Sequence, residues 1–288
     1  ALFGIPPEAL PEIRGSDDLF GTTTLGGLFP QDVPIRAVMG DSHAALYGAG
    51  CGCEGMAKAT YGTGSSVMLF TGRQPVVSRH GLAATVAWGR NGQTYYGLEG
   101  NINYAGAVIE WLIHRAGLLT SADEAEALAL QAAPADSTVF VPAFTGLGAP
   151  HWAPEMRAAI VGMGSTTGRA EIVRAAVDSI AYQVTDVLRA MAEDVGQPAA
   201  QLFCDGGAVR NSYLMQRQSE LLRSVIRVAE NQDGSCAGAA KMAGEAAGLY
   251  GGDTVFGAWQ REYRPQQSAA WAEAEYDRWQ SAVKQIKG

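Results

Sequence analysis

Charge is scarce in this 288-residue chain. Asp, Glu, Lys and Arg together make up 17% of it, and 29 acids outnumber 21 bases to leave a formal net charge of −8. A chain with this balance has no basic stripe to track a phosphodiester backbone, which argues against a nucleic-acid partner. Phosphate ligands stay open, because backbone N–H groups and a metal ion bind phosphate without basic side chains. Cysteine is equally sparse. Cys51, Cys53, Cys204 and Cys236 form no disulfide framework, and Cys51 and Cys53 stand too close for a zinc knuckle. They read as small buried residues of a reducing, cytoplasmic compartment. None of the four histidines (His43, His80, His114 and His151) pairs with another at metal-ligand spacing. No stretch of eighteen apolar residues and no basic-then-apolar leader occurs, so neither a membrane span nor a secretion signal is expected. No Gly-x-Gly-x-x-Gly joins the first predicted strand to a helix, which argues against a dinucleotide site. Ser42, Ser65 and Ser66 lie outside any Gly-x-Ser-x-Gly frame, which argues against a serine hydrolase.

Glycine and apolar residues are plentiful. The 36 glycines cluster at the ends of apolar runs, marking tight loops at strand ends, and apolar residues reach 47%. A chain of this length buries roughly three-quarters of its unfolded surface and needs no staples. Residues 1–34, with Pro6, Pro7, Pro11 and Pro30, read as an extended connector. Strands are predicted at 35–39, 57–61, 66–71, 83–89 and 94–100, with a hairpin at Asn91-Gly92. Helices are predicted at 104–116, 122–132, 169–195, 211–222, 236–249 and 269–286, with further strands at 201–204 and 225–228. The longest helix repeats Ile172, Ala176, Ile180, Val184, Val187 and Met191 at three or four residues, and Gly196 with Pro198 ends it. The small-residue helix at 236–249 suits close packing on a sheet. The last helix, with Trp271, Tyr276 and Trp279, reads as a solvated cap, with a homo-oligomer interface as the alternative. Strands first, then strand and helix in alternation, predict an α/β domain with a mixed sheet flanked by helices.

Three places carry chemistry. Asp41 follows the apolar run Ile35–Met39 and Gly40 and opens a small-residue helix, where a carboxylate can accept a proton or hold Mg²⁺ through water. Taken alone, Gly40-Asp41-Ser42 is also an ordinary helix cap. Gly62-Thr63-Gly64 joins two strands. No helix or lysine follows it, so it is no Walker loop, but its backbone and the Thr63 hydroxyl can meet a phosphate. Asp205-Gly206-Gly207-Ala208 joins a strand to the helix opening at Asn211, a geometry that accepts a phosphate or an adenosine edge as well as being a tight turn. His43 is expected on a helix surface, and Trp152, in a Gly/Pro loop, as a core anchor.

In this order, Gly40-Asp41-x-x-Ala44-Ala45-Leu46, Tyr61-Gly62-Thr63-Gly64, Leu98-Glu99-Gly100, Ala105-Gly106-Ala107, Val141-Pro142-Ala143-Phe144-x-Gly146-Leu147-Gly148-Ala149-Pro150 and Asp205-Gly206-Gly207-Ala208-Val209 resemble the FGGY carbohydrate kinases over essentially the whole chain, nearest their glycerol-phosphorylating branch. The resemblance implies a ribonuclease H-like, actin-type ATPase lobe and ATP-dependent phosphorylation of a hydroxyl of a small polyol or sugar, with Mg²⁺. It makes Asp41 the catalytic base and a water-mediated metal contact. Gly62 and Thr63 become a phosphate turn, Gly106 and Glu110 neighbours of the nucleotide, and Gly207 and Asn211 the adenosine side. Asp41, Ser42 and Ser66 fall on the acceptor.

Two positions depart from the glycerol-phosphorylating pattern, with Ser42 in place of Gln and Ser66 in place of Phe. A more open and polar pocket implies an acceptor other than glycerol, such as a four- or five-carbon polyol or a ketose. An Asp-Gly-Thr phosphate loop, which the family carries in its first lobe, is not found, and Gly21-Thr22-Thr23 does not qualify. Residues 1–34 are therefore expected to be the tail of a missing N-terminal lobe, and 35–288 the C-terminal nucleotide-binding lobe. The isolated chain is expected to bind nucleotide weakly and transfer no phosphate. Competing readings are an actin-like ATPase lobe without a sugar acceptor, a nicotinamide oxidoreductase and an inactive regulatory lobe.

Overall fold

The computed structural model describes residues 3–230, 233–249, 251 and 259–288. Before the main sheet, β1 (Gly21–Thr23) and β2 (Val33–Ile35) form a small antiparallel ribbon of their own. The strand predicted over 35–39 therefore ends at Ile35. Residues 36–40 run without a ladder partner, with Val38 N–H donating to the Ser16 carbonyl at 3.2 Å. Helix α1 (Asp41–Gly48) follows. Then come β3 (Met56–Tyr61), β4 (Ser65–Gly72), β5 (Ala83–Arg90), β6 (Gln93–Ile102), α2 (Gly106–His114) and α3 (Glu124–Gln131). The small pair β7 (Val139–Val141) and β8 (Ala159–Val161) leads into α4 (Arg169–Val195). The chain closes with β9 (Gln201–Asp205), α5 (Ser212–Leu222), β10 (Ile226–Ala229), α6 (Gly234–Ala246), β11 (Trp259–Tyr263) and α7 (Ala269–Lys287).

The main sheet has seven strands in the order β11-β10-β9-β3-β4-β6-β5. β9 lies parallel to both β3 and β10, and the other pairs are antiparallel, so the sheet is mixed as expected. At the β5–β6 turn, Asn91 and Gly92 both take positive φ (50° and 69°), as a two-residue hairpin requires. Strand alternation sends one set of side chains to each face. Ala57, Ala59, Tyr61, Val67, Leu69 and Leu98 meet α4 and its neighbours in the larger core. Met68, Phe70, Trp88 and Phe203 meet Leu46 and Tyr47 of α1 and Met242 of α6 in the smaller one.

Helix α4 has the predicted span. Glu171 accepts the Gly168 N–H at its start (2.9 Å), and Gly196 ends it with φ 81°. Halfway along, the buried Asp186 accepts hydrogen bonds from His151, Tyr276, Trp279 and Gln280, tying both α7 and the 144–154 loop to α4. Helix α7 is thus no solvated cap, because Trp279 is fully buried and stacks on Tyr182 with ring centroids 5.3 Å apart. Trp152 reverses the other expectation. It is 63% exposed, and its indole N–H donates to the Gly81 carbonyl at 2.7 Å.

The small-residue helix α6 packs on α1 as well as over the sheet. A Cβ on Gly238 would stand 1.7 Å from the Ala44 carbonyl oxygen, so the two backbones touch. Cys51 and Cys204 are buried, and burial pushes both thiols up in pKa, which keeps them protonated. Cys53 and Cys236 are exposed, contrary to expectation. Among the described residues no helix is long and apolar enough to cross a membrane.

Candidate active site

The β3–β4 turn is fastened to the start of α2. The Gly106 N–H donates to the Gly62 carbonyl (2.9 Å), and the Ala105 and Ala107 N–H groups both donate to the Thr63 carbonyl (3.0 Å each). These contacts leave no room for a side chain at 106, since a Cβ there would lie 2.7 Å from the Gly62 oxygen. The turn after β9 meets the same strand end from the other side. Gly206 has φ 93°, and a Cβ on it would be 2.6 Å from the Tyr61 carbonyl oxygen. Beyond it Asn211 caps α5, its Oδ1 accepting the Leu214 N–H at 2.9 Å.

A cavity of about 370 Å³ opens between these loops and α2, α3, α4 and α5. Gly62, Thr63, Gly106, Glu110, Gly207 and Asn211 all line it. Its apolar wall is Ile109, Val177, Ile180 and Leu214. Thr63, Glu110 and Gly207 are exposed at its mouth, where Glu110 also meets His114 (3.1 Å). The sequence did not single out Glu126, Asp123 or Arg210, which complete the polar lining. Glu126 also accepts the Ser212 N–H (3.1 Å), joining α3 to the start of α5. The signal for Asp123 and Glu126 was present only as an acidic amphipathic stretch over 122–132, and nothing in it specified which face would turn inward, while Arg210 stood inside the turn before Asn211 with no signal of its own. Tyr61 forms part of the cavity's edge. Its hydroxyl donates to Gln218 (2.9 Å), and burial pushes its pKa well up, so the phenol stays neutral.

Asp41 does not line this cavity. It is the first residue of α1, after Gly40, and not the tip of a sheet strand. Its exposed carboxylate accepts the Ser42 N–H through Oδ1 at 2.7 Å. A negative group is favoured at a helix N-terminus. Ser66 belongs to the α1 side of the sheet with Met68 and Phe70, and its hydroxyl donates to Glu99 at 2.9 Å. His43 reaches this face too. It is half-buried, with its Nε2 2.9 Å from the Thr85 hydroxyl, and so turns toward the sheet instead of the helix surface. The predicted residues therefore fall into two groups: six around one cavity, and Asp41, Ser42 and Ser66 on the α1 side. Among the described residues no group of three or more His, Cys, Asp or Glu can hold a metal by protein ligands alone.

Comparison with known proteins bears on what this arrangement is. Residues 57–247 match the model of the FGGY family of carbohydrate kinases, C-terminal domain. The chain belongs to the FGGY family. It is 43% identical to a glycerol kinase of Alkalilimnicola ehrlichii over 288 residues, covering 100% of this chain and 58% of that protein. It is 40% identical to a glycerol kinase of Geobacillus kaustophilus, over 98% of this chain and 58% of that protein. The chain thus spans a little under three-fifths of the length of the curated relatives it matches. Among solved structures, Plasmodium falciparum glycerol kinase with ADP superposes with a TM-score of 0.89 at 30% identity, covering 97% of this chain and 56% of that one. A xylulose kinase from Lactobacillus acidophilus superposes at 0.84 with 19% identity, over 99% of this chain and 59% of that one, a likeness of fold. The actin-type α/β fold of the family agrees with the mixed, helix-flanked sheet seen here.

Proposed function

We propose that this chain is the C-terminal, nucleotide-binding lobe of a cytoplasmic kinase that transfers the γ-phosphoryl group of ATP to a hydroxyl of a small polyol or sugar, with residues 1–34 as the tail of the preceding lobe. The observation that carries this reading is the convergence of Gly62, Thr63, Gly106, Glu110, Gly207 and Asn211 on one cavity, with the exposed carboxylate of Asp41 at the start of α1 on the other face of the sheet. In this reading the apolar wall of Ile109, Val177, Ile180 and Leu214 takes the flat adenine base, and the Gly62-Thr63 turn takes the phosphates. Asp41 removes the proton from the acceptor hydroxyl as its oxygen bonds to the γ-phosphorus and the bond to ADP breaks. One carboxylate oxygen of Asp41 is engaged by the Ser42 N–H. The exposed carboxylate suits Mg²⁺ held through water, since Mg²⁺ keeps several waters and needs only one or two carboxylates beside the phosphates. When bound, the ion neutralises charge on the transferring group.

The Ser66–Glu99 pair and the half-buried Ser42 present hydroxyl and carboxylate groups to the acceptor side. They support an acceptor with more hydroxyls than glycerol, a four- or five-carbon polyol or a ketose. Coupled ADP release by the full-length kinase, with glycerol, tetritols, pentitols and ketoses offered in turn, tests both levels. Acceptor-dependent release that is fastest with a longer polyol is expected. Release fastest with glycerol removes the finer reading, and release indifferent to every acceptor favours an actin-like ATPase lobe.

A further inference from the structure

Between the two groups of site residues lies a buried ion pair. Lys58 Nζ stands 2.8 Å from Asp205 Oδ1, and both side chains are at most 5% exposed. Lys58 also contacts the Thr60 hydroxyl, on its own strand. Lys58 is three residues before Tyr61 at the phosphate turn, and Asp205 immediately precedes Gly206-Gly207. β3 and β9 pair in parallel with Thr60 opposite Asp205, so the ion pair joins the roots of both nucleotide loops. The other oxygen of Asp205 points at the first residue of α6, where a Cβ on Gly234 would lie 2.2 Å from Oδ2 and 3.6 Å from the Ala45 Cβ. The next residue, Ser235, donates its hydroxyl to the Asp41 carbonyl at 2.9 Å. Thr60, Lys58, Asp205, Gly234, Ser235 and Asp41 therefore form an unbroken line of contacts from the phosphate turn to the helix that carries the proposed base.

We infer that Lys58 and Asp205 are positioning residues that fix the helix bearing Asp41 relative to the nucleotide loops, through the start of α6. The inference rests on the kinase reading for its catalytic meaning but not for its mechanical one. A buried pair is a poor source of net stability, because desolvation offsets most of its Coulomb attraction. What it does supply is direction, since a charge held in low dielectric tolerates few placements of its partner. The glycine at 234 fits this role, because any side chain there would displace the carboxylate that Lys58 holds. Phosphoryl transfer depends on in-line placement of acceptor, base and phosphate, so a small shift of α1 against the loops lowers turnover more than it weakens ATP binding.

The test is amide hydrogen exchange of the full-length kinase with and without ADP, together with kcat and KM for ATP. The variants are Lys58→Met/Asp205→Leu, which replaces both charges by side chains of similar shape, and Gly234→Ala, which keeps both charges and displaces the carboxylate. In the parent protein ADP is expected to slow exchange in residues 41–46. In both variants ADP is expected still to bind while that protection is lost, with kcat lowered about tenfold to a hundredfold and KM for ATP changed less than about threefold. Exchange in α4 and α7 reports whether the variants keep their fold, and Gly234→Ala decides if the double variant does not. Unchanged protection of residues 41–46 in a folded variant, or no ADP effect there in the parent, overturns the relay. Acceptor-independent ADP release by the parent would remove the kinase reading, and the exchange data would still decide the relay.

Discussion

The two faces of the central sheet are built for different work. On the α4 face, helices close over a cavity whose lining comes from backbone turns, apolar side chains and the polar side chains of Glu110, Asp123, Glu126 and Arg210, already assembled within this chain. On the α1 face, the proposed base is exposed at the start of an eight-residue helix, and Ser42, His43 and Ser66 are only half-buried. A binding site made of turns and core side chains can be complete in one lobe. A site that must admit an acceptor, exclude water and bring a base to a hydroxyl needs walls that this face does not supply. The contrast fits the expectation that the isolated chain binds nucleotide, weakly, yet transfers no phosphate.

The sharpest way to break the comparison is Asp41→Asn. Removing a positioned base should lower acceptor-dependent ADP release in the full-length kinase by about 10²- to 10⁴-fold. Steady-state kinetics check this, and a loss of less than about tenfold would return Asp41 to a helix cap. Next is Gly106→Ala on the opposite face. Its Cβ would press on the Gly62 carbonyl at 2.7 Å, and overpacking of about 1–3 kcal/mol corresponds to roughly a 5- to 150-fold loss of ADP affinity by calorimetry.

A smaller effect separates the faces by acid. On the α4 side, burial works against ionisation of Asp136 and Asp194, yet Thr167 and Thr138 at the first, and Ser78, the Arg79 N–H and His80 at the second, hold both below their ordinary 3.8. A depressed carboxylate contributes stability above its unfolded pKa and loses it as pH falls through the folded one. Melting temperature should therefore drop below about pH 4, and Asp194→Asn should flatten that drop. The least effect is expected from Ser66→Ala. Loss of one hydrogen bond to Glu99, about 0.5–1.5 kcal/mol, should raise the acceptor KM by roughly 2- to 13-fold and leave ADP binding alone.

Most of the sheet and α4 could be read from the sequence, because β-branched runs punctuated by glycine and an unbroken 3.6-residue apolar stripe are local signals. Gly62, Thr63, Gly207 and Asn211 of the cavity were legible for the same reason, standing at glycine turns next to strand ends, whereas Gly106 and Glu110, on α2, followed only from the family resemblance. What could not be read depends on contacts distant in sequence. Ile35–Met39 looks like a strand, but only its first residue finds a ladder partner, and that partner is the Gly21–Thr23 segment. Helix α7 looks solvated because its one fully buried aromatic, Trp279, answers to Asp186, 93 residues earlier. Trp152 looks like an anchor by type, yet a loop with φ 43° at that residue turns it outward. The Lys58–Asp205 pair had no local sign at all, since 147 positions separate two ordinary residues.

The division of labour between the faces is tested most directly by measuring ADP dissociation constants for Asp41→Asn and Gly106→Ala side by side in the full-length kinase. Parent-like ADP affinity in Asp41→Asn, with clear weakening in Gly106→Ala, is the predicted result. Equal weakening in both, or weakening in Asp41→Asn alone, would contradict it and move the nucleotide to the α1 side.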